Sequence, residues 1–212
     1  MNTTSTLLGT WRLVPVVVIE SVTLVPPLAD ALVRGGLACV EVTLRTPDAL
    51  NAVRSFAKRT NLLAGAGSVR TAQQVDQAVD AGARFIVSPG FSDGVVHRCR
   101  DLDVPVLPGV ATATEVMRAF DADLDVVKVF PASGLGGPAG VRTLAAPFPG
   151  MRFVPTGGIG PSELAEYLRI PAVLAVGGSW MVSPELLRKG RFDEIARLTR
   201  DAVEVAAEVQ SR

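Results

Sequence analysis

Short apolar runs recur eight times along the chain, starting about 18 to 26 residues apart. They are VPVVVI (14–19), CVEVTLR (39–45), LLAGAGSV (62–69), FIVSPG (85–90), VPVLPGV (104–110), VVKVFPA (126–132), RFVPTGGI (152–159) and AVLAVGGS (172–179). Each is followed by a break containing Gly, Pro, Ser or Thr and then by a stretch of helical periodicity. Near-continuous apolar strands of this kind belong to parallel sheets covered on their outer face. Strands alternating with helices make βαβ units. Helix starts are marked chemically. Thr46-Pro47 predicts an N-cap followed by proline at the first helical position. Thr71-Ala-Gln-Gln74 and Thr112-Ala-Thr-Glu115 have the spacing of capping boxes, and Ser183-Pro184-Glu185 predicts another start.

Eight such units in 212 residues, with no linker or low-complexity stretch, predict an α/β fold. The expected architecture is one single-domain (β/α)8 TIM barrel over residues 1–212, with a short N-terminal extension. The alternative is an open doubly wound sheet. That fold usually carries G-x-G-x-x-G after its first strand, and no such fingerprint follows Ile19.

Composition narrows the function classes. Lys plus Arg and Asp plus Glu are 21 each, so the formal net charge is zero and nothing favours a nucleic-acid partner. No run reaches the roughly 18 apolar residues of a membrane helix. The start, MNTTSTLLGTWR, lacks the pattern of a signal peptide. The expectation is therefore a soluble, cytoplasmic protein. Cys39 and Cys99 sit in no metal-like spacing and His97 is the only histidine, so no His- or Cys-based metal site and no cofactor are expected.

Barrel active sites lie at the C-terminal strand ends. Candidates are therefore polar residues on strands or at their ends. In CVEVTLR, Glu41, Thr43 and Arg45 alternate with Val40, Val42 and Leu44. A period of two puts the polar three on one face, and the apolar three should face the helices. A buried ion pair would explain such charges, but Glu41 and Arg45 are separated by roughly 13 Å of strand, and burial otherwise implies use. In VVKVF, Lys128 stands inside an apolar strand. The other two lysines, Lys58 and Lys189, lie in polar surroundings. Burial should lower the pKa of Lys128 and make it a nucleophile toward ketones. The alternative is a lysine paired with an inward carboxylate, for which Glu41 is available. Gly157-Gly158 and Gly177-Gly178-Ser179 are expected just after the last two strands, where barrels often bind phosphate through backbone N–H groups. Two tight turns are the plainer alternative. His97, Trp11 and Trp180 look like surface or packing residues. The hydroxyl of Ser68 could stand at the third strand end, and Pro89 could form an apolar wall.

EVTLR (41–45), GAGSV (65–69), SPG (88–90), PGVATATE (108–115), KVFPA (128–132), PTGGI (155–159) and GGSW (177–180) together resemble the 2-keto-3-deoxy-6-phosphogluconate (KDPG) aldolase / 4-hydroxy-2-oxoglutarate aldolase family. The match runs from about residue 14 to 185. The resemblance implies a metal-independent class I aldolase, commonly a homotrimer, acting late in the Entner–Doudoroff pathway. Its substrate would be a phosphorylated 2-keto sugar acid, cleaved to pyruvate and glyceraldehyde 3-phosphate, with 4-hydroxy-2-oxoglutarate, cleaved to pyruvate and glyoxylate, as a second substrate. It implies Lys128 as the Schiff-base residue and Glu41 as general acid/base, with Arg45 and Ser68 holding the pyruvate part. Pro89 and Phe130 would line the site, and Thr156, Gly157, Gly158, Gly178 and Ser179 would meet the distal hydroxyls and phosphate. Two positions depart from the family pattern. Ser68 stands where Thr is typical, and Ser133 stands where gluconate-type members often have Glu. Ser133 is shared with 2-dehydro-3-deoxy-6-phosphogalactonate aldolases, which are one alternative. An isomerase or synthase on a phosphate-binding barrel is another.

Overall fold

The structure is a computed structural model, and it describes residues 9–210. The signal-peptide question and most of the predicted N-terminal extension lie outside these residues. All eight apolar runs contain a strand: β1 (Leu13–Val17), β2 (Cys39–Thr43), β3 (Leu63–Gly67), β4 (Ile86–Val87), β5 (Val106–Leu107, resumed at Gly109–Val110), β6 (Val126–Val129), β7 (Arg152–Pro155) and β8 (Val176–Gly178). The interruption in β5 falls at Pro108, which has no N–H to donate. The Pro108 carbonyl still accepts from the Lys128 amide at 2.8 Å.

Every neighbouring pair is parallel, and the ring closes. β1 pairs with β2, with Val16 opposite Glu41, and β2 pairs with β3, with Glu41 opposite Gly65. β3 to β4 to β5 continue through Ala66, Ile86 and Val106. The second piece of β5 sets Gly109 opposite Lys128, and β6 sets Lys128 opposite Val154. Bridges Phe153–Val173 and Thr156–Gly177 join β7 to β8, and Gly177 lies opposite Val14 of β1.

Helices follow the strands: α1 (Val25–Arg34), α2 (Ala49–Ala57), α3 (Ala72–Asp80), α4 (Asp93–Asp101), α5 (Ala113–Asp121), α6 (Gly137–Ala145), α7 (Leu164–Leu168), α8 (Pro184–Arg188) and α9 (Phe192–Gln210). Thr71, Thr112 and Ser183 cap α3, α5 and α8, and Thr112 with Glu115 completes a capping box. The expected start at Thr46-Pro47 is displaced. α2 begins at Ala49 after Asp48. The Thr46 hydroxyl instead donates to the Ile19 carbonyl, tying the end of β2 to the end of β1.

The pleat sorts the strand residues into two cores. Val17, Val40, Val42, Val127, Val129 and Phe153 pack outward against the helices. Val14, Phe85, Val87, Leu107, Val126 and Val154 fill the barrel from within. That plug makes the interior a packed core, as side-chain layers do in such barrels. The next inward layer above it holds Val16 and Lys128, two residues beyond Val14 and Val126 on β1 and β6, and Glu41, opposite Val16 on β2. Polar side chains therefore begin where the apolar floor ends, toward the C-terminal strand ends.

Candidate active site

Lys128 and Glu41 meet on that floor. The Nζ of Lys128 lies 3.2 Å from Oε1 and 3.3 Å from Oε2 of Glu41. Lys128 is 5% exposed and Glu41 2%. Both readings of the lysine thus share one geometry: it stands inside an apolar strand, and it is paired. The partner carboxylate supplies the compensating charge that a buried ammonium requires, so the lysine is not the isolated buried amine that burial alone suggested. Nζ also sits 5.4 Å from the centroid of the Phe130 ring, within cation–π range.

Glu41 fits because residue 67 has no side chain. A Cβ there would come within 2.2 Å of Glu41 Oε1 and 2.7 Å of its Cγ. Sequence reasoning had not singled out Gly67. The signal was available: Gly65 and Gly67 are two apart on the strand beside Glu41, so they share the inward face.

A cavity of about 210 Å³ opens at Lys128; Glu41 is not one of its walls and meets it through the lysine. Lys128, Phe130, Arg45, Thr156, Gly157, Gly158, Gly178 and Ser179 line it, together with Thr43 and the apolar Val16, Val18 and Ile159. Val16 and Val18 were legible as the continuation of the Val14 face but had not been named. Thr43 points inward as expected, and its hydroxyl donates to the Val17 carbonyl at 3.0 Å. Arg45 lies past the end of β2, where strict alternation no longer holds, and it is exposed at the rim. Its Nε donates to Ser68 Oγ at 2.8 Å. Ser68 has φ 57, a left-handed conformation unusual for a residue with a side chain. It joins the cavity only through Arg45. Pro89 does not line the cavity. β4 ends at Val87, and the Pro89 carbonyl lies against Gly109 of β5.

Gly157 and Gly158 follow β7 with φ of 97 and 76, values that suit glycine. Their turn is held by the Ser133 amide, which donates to the Gly157 carbonyl at 3.1 Å. A Cβ on Gly158 would meet Ser133 Oγ at 2.7 Å. Gly177 and Gly178 were expected after the last strand but are its closing residues, paired with Val14 and Pro15 of β1. Ser179 follows, exposed at the cavity mouth. Of the remaining candidates, His97 is exposed on α4, and Lys58 and Lys189 are exposed. Trp11 and Trp180 are half-buried against the outer core. Among the described residues, no three His, Cys, Asp or Glu gather as metal ligands.

A lysine–carboxylate pair beneath a cavity rimmed by an arginine and a double-glycine turn can be compared with known proteins. The family model for KDPG and KHG aldolases matches residues 5–198. This chain belongs to that aldolase family. The 2-dehydro-3-deoxy-phosphogluconate aldolase of Treponema pallidum is 46% identical over 195 residues, covering 92% of this chain and 93% of that protein. The crystal structure of the Zymomonas mobilis KDPG aldolase with 3-phosphoglycerate superposes with a TM-score of 0.90 at 39% identity, covering 96% of each chain. The Legionella pneumophila KDPG aldolase, with pyruvate captured at low pH as a covalent carbinolamine intermediate, gives 0.90 at 36% identity, covering 93% of this chain and 97% of that one. The barrel described above is thus the fold of the KDPG aldolases.

Proposed function

We propose that this aldolase cleaves 2-keto-3-deoxy-6-phosphogluconate to pyruvate and glyceraldehyde 3-phosphate, with Lys128 as the Schiff-base residue. The observation that carries the reading is the buried contact with Glu41 of Lys128, which lines the cavity. The carbinolamine of the Legionella relative and the phosphorylated ligand of the Zymomonas relative support it.

In this mechanism Glu41 takes a proton from the ammonium, and the free amine attacks the C2 ketone. Glu41 returns that proton to the carbinolamine hydroxyl, which leaves as water, and a protonated imine remains. That imine accepts the electrons of the C3–C4 bond as the C4 hydroxyl gives up its proton, so glyceraldehyde 3-phosphate departs and an enamine remains. Glu41, directly or through water, receives the C4 proton and returns one to C3. Water then hydrolyses the imine, and pyruvate leaves with Lys128 restored. Arg45, steadied by Ser68, binds the carboxylate, for which a planar guanidinium is suited. Phe130 walls the cavity beside Nζ. Thr156, Gly157, Gly158, Gly178 and Ser179 take the distal hydroxyls and phosphate. Cleavage of 4-hydroxy-2-oxoglutarate, which lacks the phosphate, uses the same inner residues. No metal or cofactor takes part in these steps.

Borohydride reduction in the presence of pyruvate, followed by mass spectrometry, tests the assignment. A reduced three-carbon unit is expected on Lys128. An adduct on Lys58 or Lys189, or none, removes Lys128 from the role.

The proposed enzyme is a cytoplasmic homotrimer of single-domain chains. Cys39 and Cys99 are buried free thiols, each pushed up to about 12 by burial, which suits a reducing compartment. Met117 and Phe120 on α5 are exposed large apolar side chains that a second copy would cover. Light scattering should return three times the chain mass of 22.2 kDa; the mass of a single chain would overturn the trimer.

A further inference from the structure

The end of the barrel opposite Lys128 holds a second cluster of charge. Arg12 immediately precedes β1 and Arg152 opens β7. Both line a cleft of about 390 Å³ whose other walls include Leu168, Pro171, Val173 and Gln210. The two guanidiniums are close enough that the Arg12 pKa is lowered, by burial first and by the charge of Arg152 second. Neither takes part in an ion pair among the described residues. Arg12 donates from Nη2 to the Leu168 carbonyl at the end of α7, at 2.8 Å. The Nε of Arg152 is fully enclosed and has no hydrogen-bond partner among the described residues. Arg12 is also held at φ 53, in the left-handed region that side chains other than those of Asn, Asp or Gly seldom occupy.

Each feature is unfavourable by itself. Like charges repel, a buried donor without an acceptor loses its hydration, and positive φ strains the backbone. One kind of ligand relieves the first of these. An oxyanion with several acceptor atoms neutralises both cations that line the cleft. Forked guanidinium donors match phosphate oxygens in particular. We propose that the Arg12–Arg152 cleft is a second anion site, selective for a phosphate group, at the N-terminal end of the barrel. It is separate from the catalytic cavity and does not depend on the function proposed above.

Calorimetric titration with inorganic phosphate at low ionic strength tests the site. The wild-type protein should bind one more equivalent than Arg152→Leu or Arg12→Leu, both with unchanged kcat. Acetate, with one charge, should not fill the site. Gly158→Val probes the catalytic phosphate subsite separately: it should leave the Arg12–Arg152 equivalent in place, whether or not the double-glycine turn binds phosphate. Should a leucine variant fail to fold, Arg152→Lys keeps the charge but loses the fork, and should weaken this equivalent at least tenfold. Unchanged stoichiometry in the leucine variants, or unchanged affinity in Arg152→Lys, would overturn the proposal and leave Arg12 as a cap for α7.

Discussion

Glu41 has two tasks at one position. It compensates the Lys128 charge before substrate arrives, and in the proposed cycle it carries protons afterwards. The two tasks separate on substitution. Glu41→Gln keeps the shape and removes the base, and proton transfer by a positioned side chain is worth roughly 10²–10⁴ in rate. We expect kcat to fall by about that order, with some borohydride trapping of pyruvate retained, since imine formation can proceed with water as the base. Gly67→Ala should approach the same result without touching a polar atom, because its methyl would stand 2.2 Å from Glu41 Oε1. Steady-state kinetics on both variants decides. A nearly normal kcat in Glu41→Gln would make the residue a structural counter-ion, and a normal kcat in Gly67→Ala would show that the carboxylate has room to move. At this scale the sequence was informative about identity and silent about distance. Period-two alternation put Glu41 and Lys128 inside the barrel, but no spacing within one strand reports which residues of another it faces. That β2 and β6, 87 residues apart at this pair, converge across the lumen follows only from closure of the ring.

At the level of elements, eight apolar runs predicted eight strands because each is short and covered on both faces. Their ends were less legible. Gly177 and Gly178 read as a loop but pair as strand, since glycine on an inward position signals a close neighbour as readily as a turn. Here the neighbour is Thr156, whose Oγ1 lies 2.2 Å from where a Gly177 Cβ would be. Thr46-Pro47 read as a helix start, but a threonine hydroxyl serves a distant carbonyl as well as a cap, and that choice is tertiary. The same distinction bears on the end of the cavity proposed to take the phosphate. Gly158 presents backbone there at φ 76 with Ser133 against it. Charge-assisted hydrogen bonds contribute roughly 1.5–3 kcal/mol each, so the phosphorylated six-carbon substrate should exceed its unphosphorylated form well over tenfold in kcat/KM. Gly158→Val should harm the phosphorylated substrate more than 4-hydroxy-2-oxoglutarate, and Ser179→Ala should do so more weakly. Equal losses on both substrates would mean that these residues shape the barrel mouth without reading the phosphate.

For the whole molecule, the barrel separates stability from chemistry along its axis. Val14, Phe85, Leu107, Val126 and Val154 plug one half, and the other half carries every polar residue of the proposed mechanism. That division decides what the enzyme needs from outside. An aldolase must hold the electrons of the breaking C3–C4 bond, either on an iminium or on an enolate beside a metal ion. In the proposed reading a lysine in the layer above the plug, with a carboxylate 3.2 Å away, equips this barrel for the first route, and Arg45 is assigned to the substrate carboxylate without an intervening cation. Turnover should therefore be indifferent to chelation. After exhaustive dialysis against EDTA, kcat for cleavage of 2-keto-3-deoxy-6-phosphogluconate is expected to equal that of the untreated enzyme, and added Mg²⁺ or Mn²⁺ should not raise it. Borohydride with pyruvate should inactivate the dialysed enzyme as completely as the untreated one, since the imine carries the electron sink. Loss of activity restored by either metal, with trapping unaffected, would show that Lys128 forms the imine yet does not suffice for bond cleavage, and the inner layer would then require a second electrophile that its own residues do not supply.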